Sequence, residues 1–281
     1  MRKVYAIILA AGNGHRMGGT IAKQYQILKK KPVICHTLTA FEQSITDRVV
    51  LVVSPGMEEY VKKEIVGKYN FKKVEAIVSG GKERSDSVYA GMRYLHANLS
   101  KKEREDAVVL VHDGARPLVT PELIARMVNA VKKEACAIPA VPVKDTIKRA
   151  GNGFVEGTPD RSELYLVQTP QTFHFLLLWE AFEKYYADKI VQKEVKITDD
   201  AMLVECMLKK KVAVVEGDYH NIKLTTPEDM YIARAFMVEQ QKNFQKNYVP
   251  KLKKTHLYAP KPRFFVQNPH KRAGKHRFYT E

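Results

Sequence analysis

Cysteine is scarce in this chain. Cys35, Cys136 and Cys206 are odd in number, far apart in sequence and form no C-x-x-C pair. That excludes a disulfide-stapled scaffold and a cysteine-bound zinc site, and it fits three ordinary thiols in a reducing cytoplasm. No apolar run approaches the ~20 residues needed to span a bilayer. Val4 to Ala11 follows a basic pair, yet it is too short and too quickly interrupted for a secretory signal. Two phosphate-binding signatures are also missing. The chain has no Gly-x-x-x-x-Gly-Lys-Ser/Thr string. Gly12-Asn13-Gly14-His15-Arg16-Met17-Gly18 misses the dinucleotide pattern by one residue and holds a cation where a helix should begin. Finally, acids are nearly absent at one end. Residues 241–281 hold eleven Lys and Arg against Glu281 alone, a charge of +10, whereas the other 240 residues hold 36 basic and 30 acidic groups, +6. The basic character therefore belongs mostly to a tail.

What is present begins with an apolar run ending in glycines. Val4 to Ala11 leads into a loop with Gly12, Gly14, Gly18 and Gly19, with Arg16 inside it and Lys23 just behind. Glycines let backbone N–H groups converge on phosphate oxygens, and fixed cations neutralise the remaining charge. The stretch reads as a site for a polyanion, with nucleotide chemistry as the leading reading. A plain Gly-rich turn between a strand and a helix is the alternative.

Strand-like runs recur at Val4–Ala11, Arg48–Val53, Val74–Val78, Ala107–His112, Cys136–Val141 and Val212–Glu216. Helical patterns fall between them at Val33–Gln43, Glu58–Lys68, Arg84–Ala97 and Pro121–Lys133, the last capped by Thr120. Strands rich in Val, Ile and Ala without alternation suit a parallel sheet covered on both faces. Strand–helix repetition over 281 residues predicts an α/β class, doubly wound with a mostly parallel sheet. Residues 142–165 break that rhythm. Val143 to Arg149 and Phe154 to Glu156 alternate around Gly151-Asn152-Gly153, which predicts a projecting β-hairpin arm. Such an arm is marginal alone and calls for a partner, most simply a second copy of the chain. Domain limits follow: 1–240 as the folded domain, with the arm at about 142–165, and 241–281 as a basic extension.

Several motifs could carry chemistry. Val108 to Pro117 delivers Asp113 to a strand end, and Gly114 lets the chain turn away. A carboxylate there is either a Mg²⁺ ligand facing phosphates or a turn cap paired with Arg116. Gly80-Gly81 to Ser87 follows another strand and opens a helix, with Ser87 offering a hydroxyl. Thr169-Pro170-Gln171 and Thr198-Asp199-Asp200-Ala201 read as loop-to-helix starts, where capping suffices. Asn221-Ile222-Lys223 reads as a strand before a helix opened by Pro227. Lys223 there is either an edge residue or a phosphate contact. His15, His36, His112 and His220 show no metal-ligand spacing and read as surface or packed side chains.

Taken in order, these motifs resemble the 2-C-methyl-D-erythritol 4-phosphate cytidylyltransferase family. The matching residues are Ala10-Ala11-Gly12 with Arg16-Met17, Lys23-Gln24-Tyr25, Gly80-Gly81 to Ser87, Val111 to Pro117, Asp145-Thr146-Ile147-Lys148, Asp160-Arg161, Gln168 to Gln171, Ile197 to Ala201 and Asn221-Ile222-Lys223. The match covers about residues 3–237. The resemblance implies a Rossmann-like nucleotidyltransferase fold and a homodimer joined through the arm. It implies CTP and a sugar-alcohol phosphate as substrates, with Mg²⁺ held by Asp113. It implies Arg16 and Lys23 as stabilisers of charge on the α-phosphate. Arg161 and Lys223 would position the sugar phosphate. Ala10, Ala11, Gly81, Ser87 and Gly114 would line the nucleotide site together with Gly12 and Gly14. Thr146 would reach the sugar-phosphate site of the neighbouring subunit. Two features depart from the pattern. His220 stands where some relatives have an acid that assists the metal, and the tail from about residue 241 has no counterpart.

Ribitol-5-phosphate cytidylyltransferases look similar through much of the chain, and Arg161 to Tyr165 would suit them. Lys23-Gln24-Tyr25, Asp113 to Arg116 and Asp145 to Arg149 look more like the methylerythritol enzyme. A different class of reading concerns the tail, whose eleven cations and interleaved aromatics could bind nucleic acid or another anionic surface. A solvated extension explains the same composition.

Overall fold

Alternate residues of the first strand point to opposite faces of a sheet, and both faces are apolar, so the strand must be central. In the computed structural model, which describes residues 2–12 and 22–248, this strand is β1 (Val4–Ala10). Val4, Ala6, Ile8 and Ala10 join one buried cluster. Tyr5, Ile7 and Leu9 join the other. A short hairpin, β2 (Ile27–Leu28) with β3 (Lys31–Pro32), precedes α1 (Val33–Gln43). Then follow β4 (Arg48–Val53), α2 (Glu58–Tyr60) running on as a π-helical stretch Val61–Gly67, β5 (Val74–Ser79), α3 (Arg84–Asn98), α4 (Lys101–Asp106) and β6 (Val108–Asp113). The next elements are α5 (Pro121–Ala130), β7 (Cys136–Pro142), β8 (Arg149–Gly151), β9 (Phe154–Gly157), β10 (Tyr165–Val167) and β11 (Gln171–His174). The series closes with α6 (Phe175–Ala187), α7 (Lys189–Glu194), α8 (Asp200–Leu208), β12 (Ala213–Glu216) and α9 (Pro227–Tyr248).

The main sheet runs β10-β7-β11-β6-β1-β4-β5, with β12 also paired to β7. β5, β4, β1 and β6 are mutually parallel, and β11 is inserted antiparallel between β6 and β7. One face is covered by Ile34, Leu38 and Phe41 of α1 and by Leu123, Ile124 and Met127 of α5. The other is covered by Val88, Met92 and Leu95 of α3, by Phe175, Leu178 and Phe182 of α6, and by Leu203 and Val204 of α8. This is the expected doubly wound, mostly parallel α/β sheet. Burying both faces removes water from Val-rich strands, worth ~25 cal/mol per Å² of apolar surface. The chain leaves β1 toward β4 and β5 on one side and later returns beside it as β6. The strand order therefore reverses at the β1–β6 gap, where open α/β sheets bind ligands at their carboxyl ends.

The hairpin forms, though later than the pattern suggested. Only Arg149–Gly151 pairs with Phe154–Gly157, turning through Asn152 and Gly153, both at positive φ. Val143–Lys148 is not strand. The arm carries apolar side chains into solvent: Phe154 is 78% and Val155 62% exposed. Two other readings are corrected. Gln171 begins the buried strand β11 rather than a helix, because its chain completes the β6 and β7 ladders before α6 starts. Asn221–Leu224 is irregular, not strand. Its backbone is held instead by Leu224 N–H on Ala115 O (2.9 Å) and by Arg116 donating to Asn221 O (2.8 Å). The chain divides into two compact units, Met1–Gln241 and Lys242–Glu281, and the sheet belongs to the first. Among the described residues, no helix is long and apolar enough to cross a membrane.

Candidate active site

The carboxyl ends of β1, β5 and β6 open onto one cavity of about 210 Å³. Each strand ends in a turn that the others tie down. Gly114 N–H donates to Leu9 O at 2.8 Å, so β6 turns away directly against β1. A Cβ on Gly114 would lie 2.7 Å from Ile34 Cδ1 and 2.8 Å from Leu9 O, so only glycine fits this approach. Ser54 donates to Ala11 O (2.9 Å), and the amide of Gln24 donates to Ala10 O (2.7 Å) and Gly12 O (3.1 Å). Gln24 is buried in a single 3₁₀ turn, Lys23–Tyr25, so it fixes where the neighbouring Lys23 stands. Behind β5, Gly81 N–H donates to Ser87 Oγ at 3.2 Å, and the Asp86 carboxylate caps Glu83 N–H at 3.0 Å. These bonds build the α3 start expected from Gly80-Gly81 to Ser87.

Asp113 stands at the cavity floor among three cations. Lys223 Nζ is 2.9 Å from its Oδ2, Arg116 Nε 3.5 Å from the same oxygen, and Arg84 Nε 3.6 Å from Oδ1. Burial alone would raise its pKa, but Lys223, Arg84 and Arg116 together outweigh burial and hold the carboxyl below its usual range. Asp113 is thus an anion throughout the neutral range. Arg84 extends further, with its Nη2 2.8 Å from Asp200 Oδ2. Burial opposes the Arg84 charge, yet Asp200 and Asp113 prevail and its pKa is raised. Next to Asp113, His112 is fully buried between Thr169 Oγ1 (3.0 Å) and Arg116 O (3.3 Å), and burial pushes its pKa down to about 3. Thr169 also accepts from Asp113 N–H at 3.1 Å. A second cavity of about 240 Å³, bounded by Thr169, Gln171, Thr198 and Asp199, shares Arg84, Asp113 and Lys223 with the first.

Ala10, Ala11, Gly12, Lys23, Gly81, Ser87, Asp113 and Lys223, all singled out from sequence, line the first cavity. Gly114 is buried behind them and sets the turn. Gly14 and Arg16 lie outside the described residues. Among the described residues, Thr146 and Arg161 line neither of these two cavities. Both are exposed near the arm, and Arg161 donates to Lys144 O at 3.0 Å. Asp113 pairs with Arg116, as one of its two readings expected, and it also lines the cavity. Asp199 caps α8 through Met202 N–H (2.8 Å), as expected, but its neighbour Asp200 is a buried partner of Arg84. His36 is packed, its Nε2–H donating to Leu28 O (2.7 Å), and His220 lies on Phe236, with ring centroids 4.4 Å apart. Sequence reasoning missed Arg84, Arg116 and Gln24 as parts of the site. The available signal was a cation or amide immediately behind each glycine turn.

A single cavity-facing carboxylate suits a hard divalent ion whose remaining ligands are phosphate and water oxygens, although the three cations around Asp113 compete with that ion for its oxygens. Among the described residues, no three His, Cys, Asp or Glu side chains gather into an all-protein metal cluster.

The family model described as IspD, 2-C-methyl-D-erythritol 4-phosphate cytidylyltransferase, matches residues 4–239. The enzyme of that name from Lachnoclostridium phytofermentans is 42% identical over 242 residues, covering 86% of this chain and 99% of its own length. The one from Pelotomaculum thermopropionicum is 45% identical over 243 residues, covering 86% and 97%. Among solved structures, 4-diphosphocytidyl-2C-methyl-D-erythritol synthase from Anaerococcus prevotii superposes with a TM-score of 0.68 at 33% identity, over 84% of this chain and 99% of that one. This chain belongs to the 2-C-methyl-D-erythritol 4-phosphate cytidylyltransferase family.

Proposed function

We propose that the paired cavities around Asp113 are where the chain performs its family's reaction. The chain transfers a cytidylyl group from CTP to 2-C-methyl-D-erythritol 4-phosphate, giving CDP-methylerythritol and pyrophosphate in isoprenoid precursor biosynthesis. The observation that carries the site assignment is the meeting of Lys23, Asp113 and Lys223 in one cavity at the sheet's switch point. A phosphate oxygen of the acceptor attacks the α-phosphorus of CTP, a new P–O bond forms, and the bond to the β-phosphate oxygen breaks. The nucleophile is already an anion, so no strong general base is needed. The obstacle is repulsion between anions and charge gathered in line, which positioning and fixed cations relieve.

In this reading Ala10, Ala11, Gly12, Gly14, Gly81, Ser87 and Gly114 hold the nucleotide. Lys23 and Arg16 stabilise charge on the α-phosphate. Lys223, from the second side, holds the acceptor phosphate, and Asp113 holds Mg²⁺, which when bound neutralises charge between the phosphates. Arg161 and Thr146 serve the acceptor from the arm of a second copy, because neither lines the two described cavities of its own chain. The exposed Phe154 and Val155 support a homodimer through that arm. The domain is 1–240, with 241–281 an appended basic extension, and three separated free thiols suit the cytoplasm.

Pyrophosphate release across all four nucleoside triphosphates, with methylerythritol phosphate and ribitol 5-phosphate as acceptors, tests the reading. CTP with methylerythritol phosphate should be the productive pair. Equal release with a purine nucleotide would remove the glycine turns as the cytidine site.

A further inference from the structure

Asp113 meets a cation at each of its oxygens, and one of those cations is itself tied elsewhere. Oδ2 faces Lys223 and Arg116, and Oδ1 faces Arg84. The far end of Arg84 is clamped at 2.8 Å by Asp200, a carboxylate only 2% exposed. Asp200 is in turn fixed by its backbone. Its N–H and that of Ala201 both donate to Gln171 Oε1 at 3.0 Å, while the Gln171 amide donates to Asp199 Oδ2 at 2.8 Å. Arg84 therefore bridges a buried anchor and the cavity anion, and it borders both cavities.

We infer that Asp200, acting through Arg84, sets how readily the Oδ1 oxygen of Asp113 can leave its cation and take a divalent metal alongside the nucleotide. This rests on the assignment of Asp113 as the metal-holding carboxylate. Asp200 offsets the Arg84 charge and draws the guanidinium toward itself. With that anion removed, Arg84 grips Asp113 more strongly and repels an incoming divalent ion more strongly, so the metal binds less well. With Arg84 removed, Asp113 loses one of three competing cations, so the metal binds better although the carboxylate is less well oriented. Opposite signs from two residues in direct contact distinguish this arrangement from a role in folding alone. Asp200 and Arg84 are positioning residues in this scheme.

The test is calorimetric titration of CTP without acceptor, once in EDTA and once in saturating Mg²⁺, reading the factor by which the metal tightens CTP. No turnover is involved. Asp200→Asn should lower that factor about fivefold or more and Arg84→Gln should raise it, a span within ordinary coupling energies. Circular dichroism and thermal melting check that each variant is folded. If Asp200→Asn does not fold, Arg84→Lys decides: its single ammonium can hold Asp200 but not Asp113 as well, so the factor should rise. Unchanged factors in the folded variants, with a collapsed factor in Asp113→Asn, overturn the inference and leave the metal assignment standing. A wild-type factor in Asp113→Asn overturns the assignment itself, and the inference with it.

Discussion

Lys23 lines the first cavity on a turn held by the buried Gln24. Replacing it with alanine leaves Gln24 and the turn in place, so the change falls on charge stabilisation. Loss of one such group costs ~3 kcal/mol of barrier, about a hundredfold in rate. Lys23→Ala should therefore lower kcat by about that factor or more while the protein stays folded, and near-normal turnover would remove Lys23 from the mechanism. His112 acts on stability instead. Its folded pKa is about 3, against a usual value of 6.5. Above pH 6.5 neither state is protonated and its contribution is intact. As pH falls from 6.5 toward 3, the unfolded chain takes up a proton that the buried ring refuses, and stability is lost. The melting temperature of His112→Gln should be lower than wild type at pH 7 but should decline less between pH 7 and 4.5. Contributions from His36 and the carboxylates are common to both proteins and cancel. At this scale the charged site residues Lys23, Asp113 and Lys223 were legible, because a charge beside glycines or apolar strand residues has few structural explanations. Arg84 and Asp200 were not, because each opens a helix and reads as an end-of-helix charge. Only tertiary packing brings them together.

Helix α3 crosses β1 at Gly91, and the sheet's glycine-free middle strand leaves no slack there. A Cβ on Gly91 would lie 2.7 Å from Cγ2 and 3.1 Å from Cδ1 of the fully buried Ile7. Alanine would gain about 1 kcal/mol of helix propensity at this position. Overpacking a core costs about 1–3 kcal/mol. The second effect prevails, so Gly91→Ala should lose about 1 kcal/mol in urea unfolding, and a gain would mean that α3 shifts freely on β1. The parallel strands were readable from sequence, since a two-face-buried strand is continuously apolar: strand Arg48–Val53 matches its expected limits, as does the amphipathic helix Val33–Gln43. β11 was hidden because four residues after Thr169-Pro170 look like a turn, and their pairing partners lie 60 to 66 positions earlier in β6 and 35 to 37 earlier in β7. The Lys223 segment misled in the opposite direction. Its apolar alternation resembles a strand, but Arg116 and the Ala115 carbonyl take the bonds a ladder would have taken.

For the whole molecule, the proposed function divides one active centre between two chains and assigns no part of it to the tail. Truncation after residue 240 should leave cytidylyl transfer unchanged while abolishing any binding to anionic polymers, because the removed segment carries +10 and the described site lies entirely in the first unit. The arm makes the stronger demand. Lys23 lines the cavity of its own chain, whereas Arg161 lies outside both cavities, with its guanidinium on Lys144 O. If Arg161 serves the neighbouring site, each complete centre needs Lys23 from one chain and Arg161 from the other. Lys23→Ala and Arg161→Ala homodimers are then both inactive. A mixed dimer holds one centre with both defects and one with neither. Random reassembly of equal amounts makes half the dimers mixed, so the mixture should recover about a quarter of wild-type turnover for a twofold-symmetric pair. Were Arg161 to act within its own chain, every centre in the mixture would carry one defect and turnover would stay at the level of the single variants.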